Sequence, residues 1–178
     1  MSGDAAPLRG RTAIVITASD RSAAGEREDL TGAQVAARLE VLGLRVERRV
    51  VPDDQATIEA ALIDGTARHP LTVTTGGTGL TPRDVTPQAT SAVIDYEVPG
   101  LAEAMRAEGR RHTPMASLSR GVVGVRGRSL VINLPGSPRG ALESLEAVEA
   151  VLEHALETLA GPFDHAAAEH AAETRSTR

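Results

Sequence analysis

Apolar positions along the chain fall into two rhythms, short continuous runs and stripes at helical spacing, and the two follow one another in order. Thr12 to Thr17 (TAIVIT) is an unbroken apolar run of the kind a buried parallel strand requires. From Asp29 to Leu42 the rhythm turns helical, with Val35, Leu39 and Leu42 on one face and Gly43 as the stop. Leu44 to Val51 predicts a second strand, and Ile58, Ala61 and Leu62 mark the next helix. Leu71, Val73 and the β-branched Thr72, Thr74 and Thr75 form a third strand. Thr86-Pro87 opens a helix that runs on through Ala89 to Ile94, with threonine suited to cap it and proline to its first turn. Pro99 opens another, with Leu101, Ala104 and Met105 on its apolar face and Gly109 ending the pattern. Val122 to Val125 and Ser129 to Asn133 are β-rich runs joined by Arg126-Gly127-Arg128, a hairpin in length and glycine content. Ser137 as N-cap and Pro138 in the first turn begin a long helix, on which Leu142, Leu145, Val148, Leu152, Leu156 and Leu159 recur. Alternation of this kind predicts an α/β three-layer sandwich around a mostly parallel, mixed central sheet.

The 178 residues suffice for one domain with a full core. We expect a flexible N-terminal leader over 1–10, one α/β domain over 11–160 and a flexible C-terminal tail over 161–178. After Gly161-Pro162 large apolar side chains give out, and His165 and His170 are five apart, a poor spacing for a metal on one helix face. Tyr96 and Phe163 are the only aromatic residues, so Val, Leu, Ile and Ala must build the core and no stacking platform for single-stranded nucleic acid exists. A net charge of -5 without any basic run argues further against a nucleic-acid partner. No stretch has the length of a membrane span, and a cytoplasmic protein fits. With no cysteine there are no disulfides, thiolate metal sites or cysteine nucleophile. Lysine is absent too, which excludes a GxxxxGK[ST] phosphate loop and Schiff-base chemistry.

Phosphate chemistry on this chain must therefore rest on arginine, backbone N–H groups and metal. Thr74 to Pro87, TTGGTGLTPRDVTP, gathers those parts behind a strand. Gly76, Gly77 and Gly79 allow positive φ and can turn N–H groups toward an anion, as phosphate loops do. Thr75, Thr78 and Thr81 add hydroxyls, Arg83 a forked cation, and Asp84 a hard oxygen ligand suited to Mg²⁺. Three other strand ends carry polar loops: Ser19 to Arg21, Asp53-Asp54, and Asn133 to Ser137. A parallel sheet collects such loops at one edge, where ligands of open α/β sheets bind. Locally, Asp20 and Ser22 also read as turn formers, and Asp53 or Asp54 as a helix cap. Arg110-Arg111-His112 reads as solvated charge, or as the edge of an anionic pocket together with Thr113-Pro114 and Ser119-Arg120. None of the four strand-end loops contains histidine, so phosphoryl chemistry is favoured over acyl transfer.

GGTGLTPRDVTP, the SDR loop, the VPD turn and the NLPGSP segment, in that set and over Thr12 to Leu159, resemble the molybdenum-cofactor biosynthesis family, specifically its molybdopterin adenylyltransferases. The resemblance implies a homotrimer that binds ATP and molybdopterin with Mg²⁺ and joins AMP to the terminal phosphate of molybdopterin. It places Asp53 and Asp84 at the catalytic, metal-holding carboxylates, in favour of a role for Asp53 beyond capping. It assigns Gly76, Gly77, Thr78 and Gly79, with Pro135, Gly136 and Ser137, to the nucleotide and its phosphates. Ser19, Asp20 and Arg21, with Thr113, Pro114, Ser119 and Arg120, match segments on the pterin side. Gln88 stands where many relatives are acidic. Within the same family the alternative is a carrier or scaffold that binds molybdopterin without adenylylating it, and a molybdenum-insertion protein is the partner implied downstream.

Overall fold

In the computed structural model, which describes residues 8–161, six strands form one sheet in the order β2-β1-β3-β6-β5-β4. The strands are β1 Thr12–Ala18, β2 Arg45–Val51, β3 Leu71–Thr75, β4 Tyr96–Glu97, β5 Val123–Arg126 and β6 Ser129–Leu134. The helices are α1 Asp20–Ala23, α2 Leu30–Val41, α3 Gln55–Arg68, α4 Thr86–Val93, α5 Pro99–His112 and α6 Pro138–Ala160, with a 3-10 turn over Pro114–Leu118. β2, β1, β3 and β6 run parallel, while β5 and β4 join antiparallel. The sheet is thus mixed and mostly parallel, as the alternation requires.

Side chains alternate strictly across the parallel strands, and this divides the interior into two cores. Ala13, Val15, Leu71, Val73, Leu130 and Ile132 pack with α2, α5 and α6, where Val35, Leu39, Met105, Leu145, Val148, Leu152 and Leu156 are buried. Ile14, Ile16, Ala18 and Val131 pack on the other face with Ile58 and Leu62 of α3 and Ala89 and Val93 of α4. Helices on both faces supply the two outer layers. The buried stripe of α6 begins at Ala141, since Leu142 is only half-buried.

Several expectations need correction. Leu8, placed in the leader, is 2% exposed and donates its N–H to the Leu42 carbonyl at 3.0 Å, so Leu8 itself belongs to the body. The rest of the leader before residue 8, and the tail from residue 162 with Phe163, His165 and His170, lie outside the described residues. α5 does not end at Gly109 but runs to His112; a Cβ on Gly109 would come 2.7 Å from the Ala116 Cβ. This glycine gives room to the 3-10 turn and is no helix stop. Thr86 is the first helical residue of α4, not its cap, and its buried hydroxyl has no partner among the described residues. The hairpin closes through two residues, because Arg126 pairs with Ser129 and Gly127 takes φ +57°. The short elements α1 and β4 carry no periodicity and escape sequence reading. Among the described residues no helix is long and apolar enough to cross a membrane.

Candidate active site

The parallel register sets the ends of four strands side by side. Ala18 pairs with Val51, Thr17 with Thr75, and Thr75 with Leu134. The four polar loops after them therefore share the carboxyl edge of the sheet. Two clefts open there, one of about 440 Å³ and one of about 270 Å³. Ser19, Asp53, Gly76, Gly77, Asp84 and Gly136 line the larger. Thr78, Gly79, Thr113, Ser119, Pro135 and Ser137 line the smaller. The glycine loop and the Pro135–Ser137 turn thus divide between the clefts and form the ridge separating them. Asp20, Arg21, Pro114 and Arg120 line neither.

Local chemistry explains the ridge. Gly76 and Gly77 have φ +89° and +64°, and a Cβ on them would lie 2.5 Å from the Ala18 carbonyl oxygen and 2.4 Å from Thr86 Oγ1. Only glycine satisfies both the backbone angle and the close approach. The Gly76 N–H donates to the Leu134 carbonyl at 3.2 Å and that of Thr81 to Asp84 Oδ2 at 2.8 Å. The Asp84 carboxylate also lies against Gly79, where a Cβ would come 3.0 Å from Oδ2. Among the described residues the N–H groups of Gly77 and the adjacent Thr78, on either side of the ridge, have no acceptor and remain for an anion. Arg120, expected on the pterin side, braces the loop instead: Nε donates to the Gly79 carbonyl at 2.7 Å and Nη2 to the Asp84 carbonyl at 2.5 Å.

The carboxylates divide by role. Asp54 is the cap of α3, accepting the Thr57 N–H at 2.9 Å and the Thr57 hydroxyl at 2.7 Å. Asp53 is no cap. It exchanges bonds with Asp20: the Asp20 N–H donates to Asp53 Oδ2, and the Asp53 N–H to Asp20 Oδ1, both at 2.9 Å. Arg83 closes this group with an ion pair to Asp20. The backbone bond from Asp53 and then the Arg83 guanidinium hold the Asp20 carboxyl below the usual carboxylate range. For Asp84, burial works to raise the pKa, and the Thr81 hydroxyl, the Thr81 and Gly79 backbone and Arg120 outweigh it, so the net direction is down. Asp84 is kept ionised while only half-buried, a state suited to holding a cation.

Sequence reasoning missed part of the larger cleft. Thr17, Asp29 and Thr31 line it. The Thr75 hydroxyl donates to Thr17 Oγ1 at 3.1 Å, Thr17 in turn donates to Asp29 Oδ2 at 3.0 Å, and Asp29 caps α2 through Gly32. Asp29 looked like an ordinary helix start, and its spacing to the four loops carried no sign that α2 begins at the sheet edge. In the smaller cleft Met105, Met115 and Leu118 provide apolar walls. Arg110, Arg111 and His112 line neither cleft; Arg111 and His112 pair with Glu108 at the end of α5. Among the described residues no three His, Cys, Asp or Glu side chains form a metal cage. Asp84 and Asp53 both line the larger cleft, and Mg²⁺ typically takes only one or two carboxylates, filling its shell with water and substrate phosphates.

Residues 14–154 match the family described as "Probable molybdopterin binding domain". The chain is 39% identical over 157 residues to a molybdopterin adenylyltransferase of Helicobacter pylori, covering 84% of this chain and 88% of that protein. It is 43% identical over 141 residues to the molybdopterin adenylyltransferase of Haemophilus influenzae, covering 76% and 71%. Among solved structures, the molybdopterin biosynthesis enzyme MoaB of Thermus thermophilus superposes with a TM-score of 0.78 at 50% identity, covering 85% of this chain and 98% of that one. The molybdopterin biosynthesis Mog protein of Mycobacterium ulcerans gives 0.80 at 43%, covering 84% and 99%.

Proposed function

The chain belongs to the molybdopterin-binding domain family, and within it we propose that it is a molybdopterin adenylyltransferase, a nucleotidyltransferase of molybdenum-cofactor biosynthesis. The terminal phosphate of molybdopterin attacks the α-phosphorus of ATP. A new P–O–P link forms, the bond between the α-phosphorus and its bridging oxygen to the β-phosphate breaks, and pyrophosphate leaves. The observation that carries this reading is the ridge between two clefts. A two-substrate phosphoryl transfer needs two binding spaces that meet at phosphate donors, and the adjacent N–H groups of Gly77 and Thr78 stand at such a boundary.

Repulsion between the attacking phosphate and the triphosphate is the barrier that this site must offset. The Gly77 and Thr78 N–H groups orient the phosphates, with Gly136 and Pro135 fixing the other side of the ridge. Ser19, Thr113, Ser119 and Ser137 offer hydroxyls to the parts of the substrates seated in the clefts. Asp84 and Asp53 would hold Mg²⁺, which supplies charge neutralisation on the phosphate oxygens. Arg21, Pro114 and Arg120 have no place in this account as ligand contacts, and Asp20 acts through Asp53 and Arg83. The proposal extends to a homotrimer working in the cytoplasm, with a molybdenum-insertion protein receiving the product.

The deciding experiment measures pyrophosphate release from ATP and Mg²⁺, with and without molybdopterin, for the native chain and for Asp84→Asn. Release that depends on molybdopterin, and a fall of on the order of 100-fold or more in the variant, are the expected results, since charge-stabilising groups in active sites are worth that much. Full turnover by Asp84→Asn at saturating Mg²⁺ removes Asp84 from the metal site. Tight molybdopterin binding without pyrophosphate would transfer the chain to the carrier class.

A further inference from the structure

The larger cleft faces a charge problem. Its charged lining is Arg27, Glu28, Asp29, Asp53, Arg83 and Asp84, more acid than base. Arg83 is already paired with Asp20. Asp29 is paired with Arg48, at 2.9 Å. Arg27 alone among these cations has no hydrogen-bond or ion-pair partner among the described residues. Its backbone is nonetheless held on both sides. The Glu26 N–H donates to the Arg21 carbonyl at 2.9 Å, and the Leu30 N–H to the Glu28 carbonyl at 3.1 Å. Arg27 is thus an exposed, unpaired arginine on a short segment that borders an acidic cleft.

This inference deepens the adenylyltransferase reading and takes the triphosphate into the larger cleft, because Asp53 and Asp84, the carboxylates proposed there to hold Mg²⁺, both line it. We propose that Arg27 binds the β- and γ-phosphates of the nucleotide, the pair that leaves as pyrophosphate, and that it does not contact the AMP portion or the pterin phosphate. The forked guanidinium matches phosphate oxygens in pairs. The α-phosphorus has to sit at the ridge beside Gly77 and Thr78, where both substrates meet. Arg27 lines only the larger cleft, on the connection between α1 and α2, so it serves the part of the nucleotide lying away from the ridge. There it draws charge onto the leaving group without touching the bond-forming atoms.

The test measures binding of Mg²⁺-pyrophosphate, Mg²⁺-ATP, AMP and molybdopterin separately by calorimetry, on the full chain and on Arg27→Gln and Arg27→Lys, with turnover measured in parallel. The expected result for Arg27→Gln is pyrophosphate and ATP binding weakened by about three- to tenfold, the effect of losing one charge-assisted contact, with AMP and molybdopterin binding unchanged. Arg27→Lys recovers part of the loss, because it keeps the charge without the fork. The difference shrinks as salt rises. Equal pyrophosphate affinity in the native chain and Arg27→Gln overturns the proposal, as does weakening that falls equally on AMP or on molybdopterin. Absence of molybdopterin-dependent turnover in the native chain instead overturns the adenylyltransferase reading, and the pyrophosphate arm still reports on Arg27.

Discussion

Single residues decide the shape of the phosphate ridge, and Gly77 is the clearest case. Its φ of +64° and the 2.4 Å gap between a built Cβ and Thr86 Oγ1 leave no room for alanine. Gly77→Ala is expected to cost on the order of 2 kcal/mol from backbone strain alone. The displaced ridge should also abolish turnover; both are checked by thermal melts beside the pyrophosphate assay. Glycine at this place was readable from the motif. Which of the loop's N–H groups remain available was not, because Gly76 gives its own to a strand some sixty residues away in the chain. Asp53 and Asp54 show the same limit. Adjacent acidic residues before a helix are equivalent as letters, and only the fold sets Asp54 on Thr57 and Asp53 against Asp20.

At the scale of elements, Asn133 joins four of them. Its Nδ2 donates to Thr74 Oγ1 and Thr90 Oγ1, each at 2.9 Å, and its Oδ1 accepts the Val122 N–H at 3.1 Å. β6 is thereby tied to β3, to α4 and to the entry of β5 beneath the Pro135–Ser137 turn. Asn133 is 1% exposed, so Asn133→Ala leaves buried polar groups unmatched. A loss of about 3 kcal/mol is expected in denaturant unfolding. Asn133→Asp should fare no better, since a carboxylate cannot donate to the two threonines. The strands and helices themselves were legible, because TAIVIT and the leucine stripe of α6 carry strong periodicity. Thr74 and Asn133 also appeared as strand residues, but their bond to each other spans fifty-nine positions, and no local pattern encodes it.

For the molecule as a whole, an ionic cluster fastens the edge strand β2 to α3. Arg68 bonds Glu47 at 2.9 and 3.2 Å and Asp64 at 2.7 Å, Arg49 bridges Glu47 and Asp64, and His69 approaches Glu47 at 3.3 Å. Bonding from Arg68, against an opposing effect of burial and with help from Arg49 and His69, pulls the Glu47 pKa down from 4.5 to about 2. A carboxyl whose folded pKa is depressed adds stability above its unfolded value and loses it as pH falls through the folded one. Stability should therefore decline between about pH 4.5 and 2, and Glu47→Gln should flatten that part of an acid-unfolding curve. A variant curve with the native slope in this window would show that the cluster does not tighten on folding.

What the sequence determined by itself is what short-range physics encodes. Apolar runs and helical stripes marked the main strands and helices, and TTGGTGLTPRDVTP, SDR, VPD and NLPGSP marked the loops that carry chemistry. The parallel sheet that follows from alternation even required those loops to share one edge. Tertiary structure alone decided how they are distributed: two clefts along that one edge, Ser19 in one and Thr113 and Ser119 in the other, Arg120 turned inward as a brace, and Asp29 and Arg27 brought to the rim. The physical reason is that burial and periodicity are properties of neighbouring residues. Partnership between polar side chains depends on which strands lie adjacent and in what register, and that is fixed only when the sheet β2-β1-β3-β6 assembles.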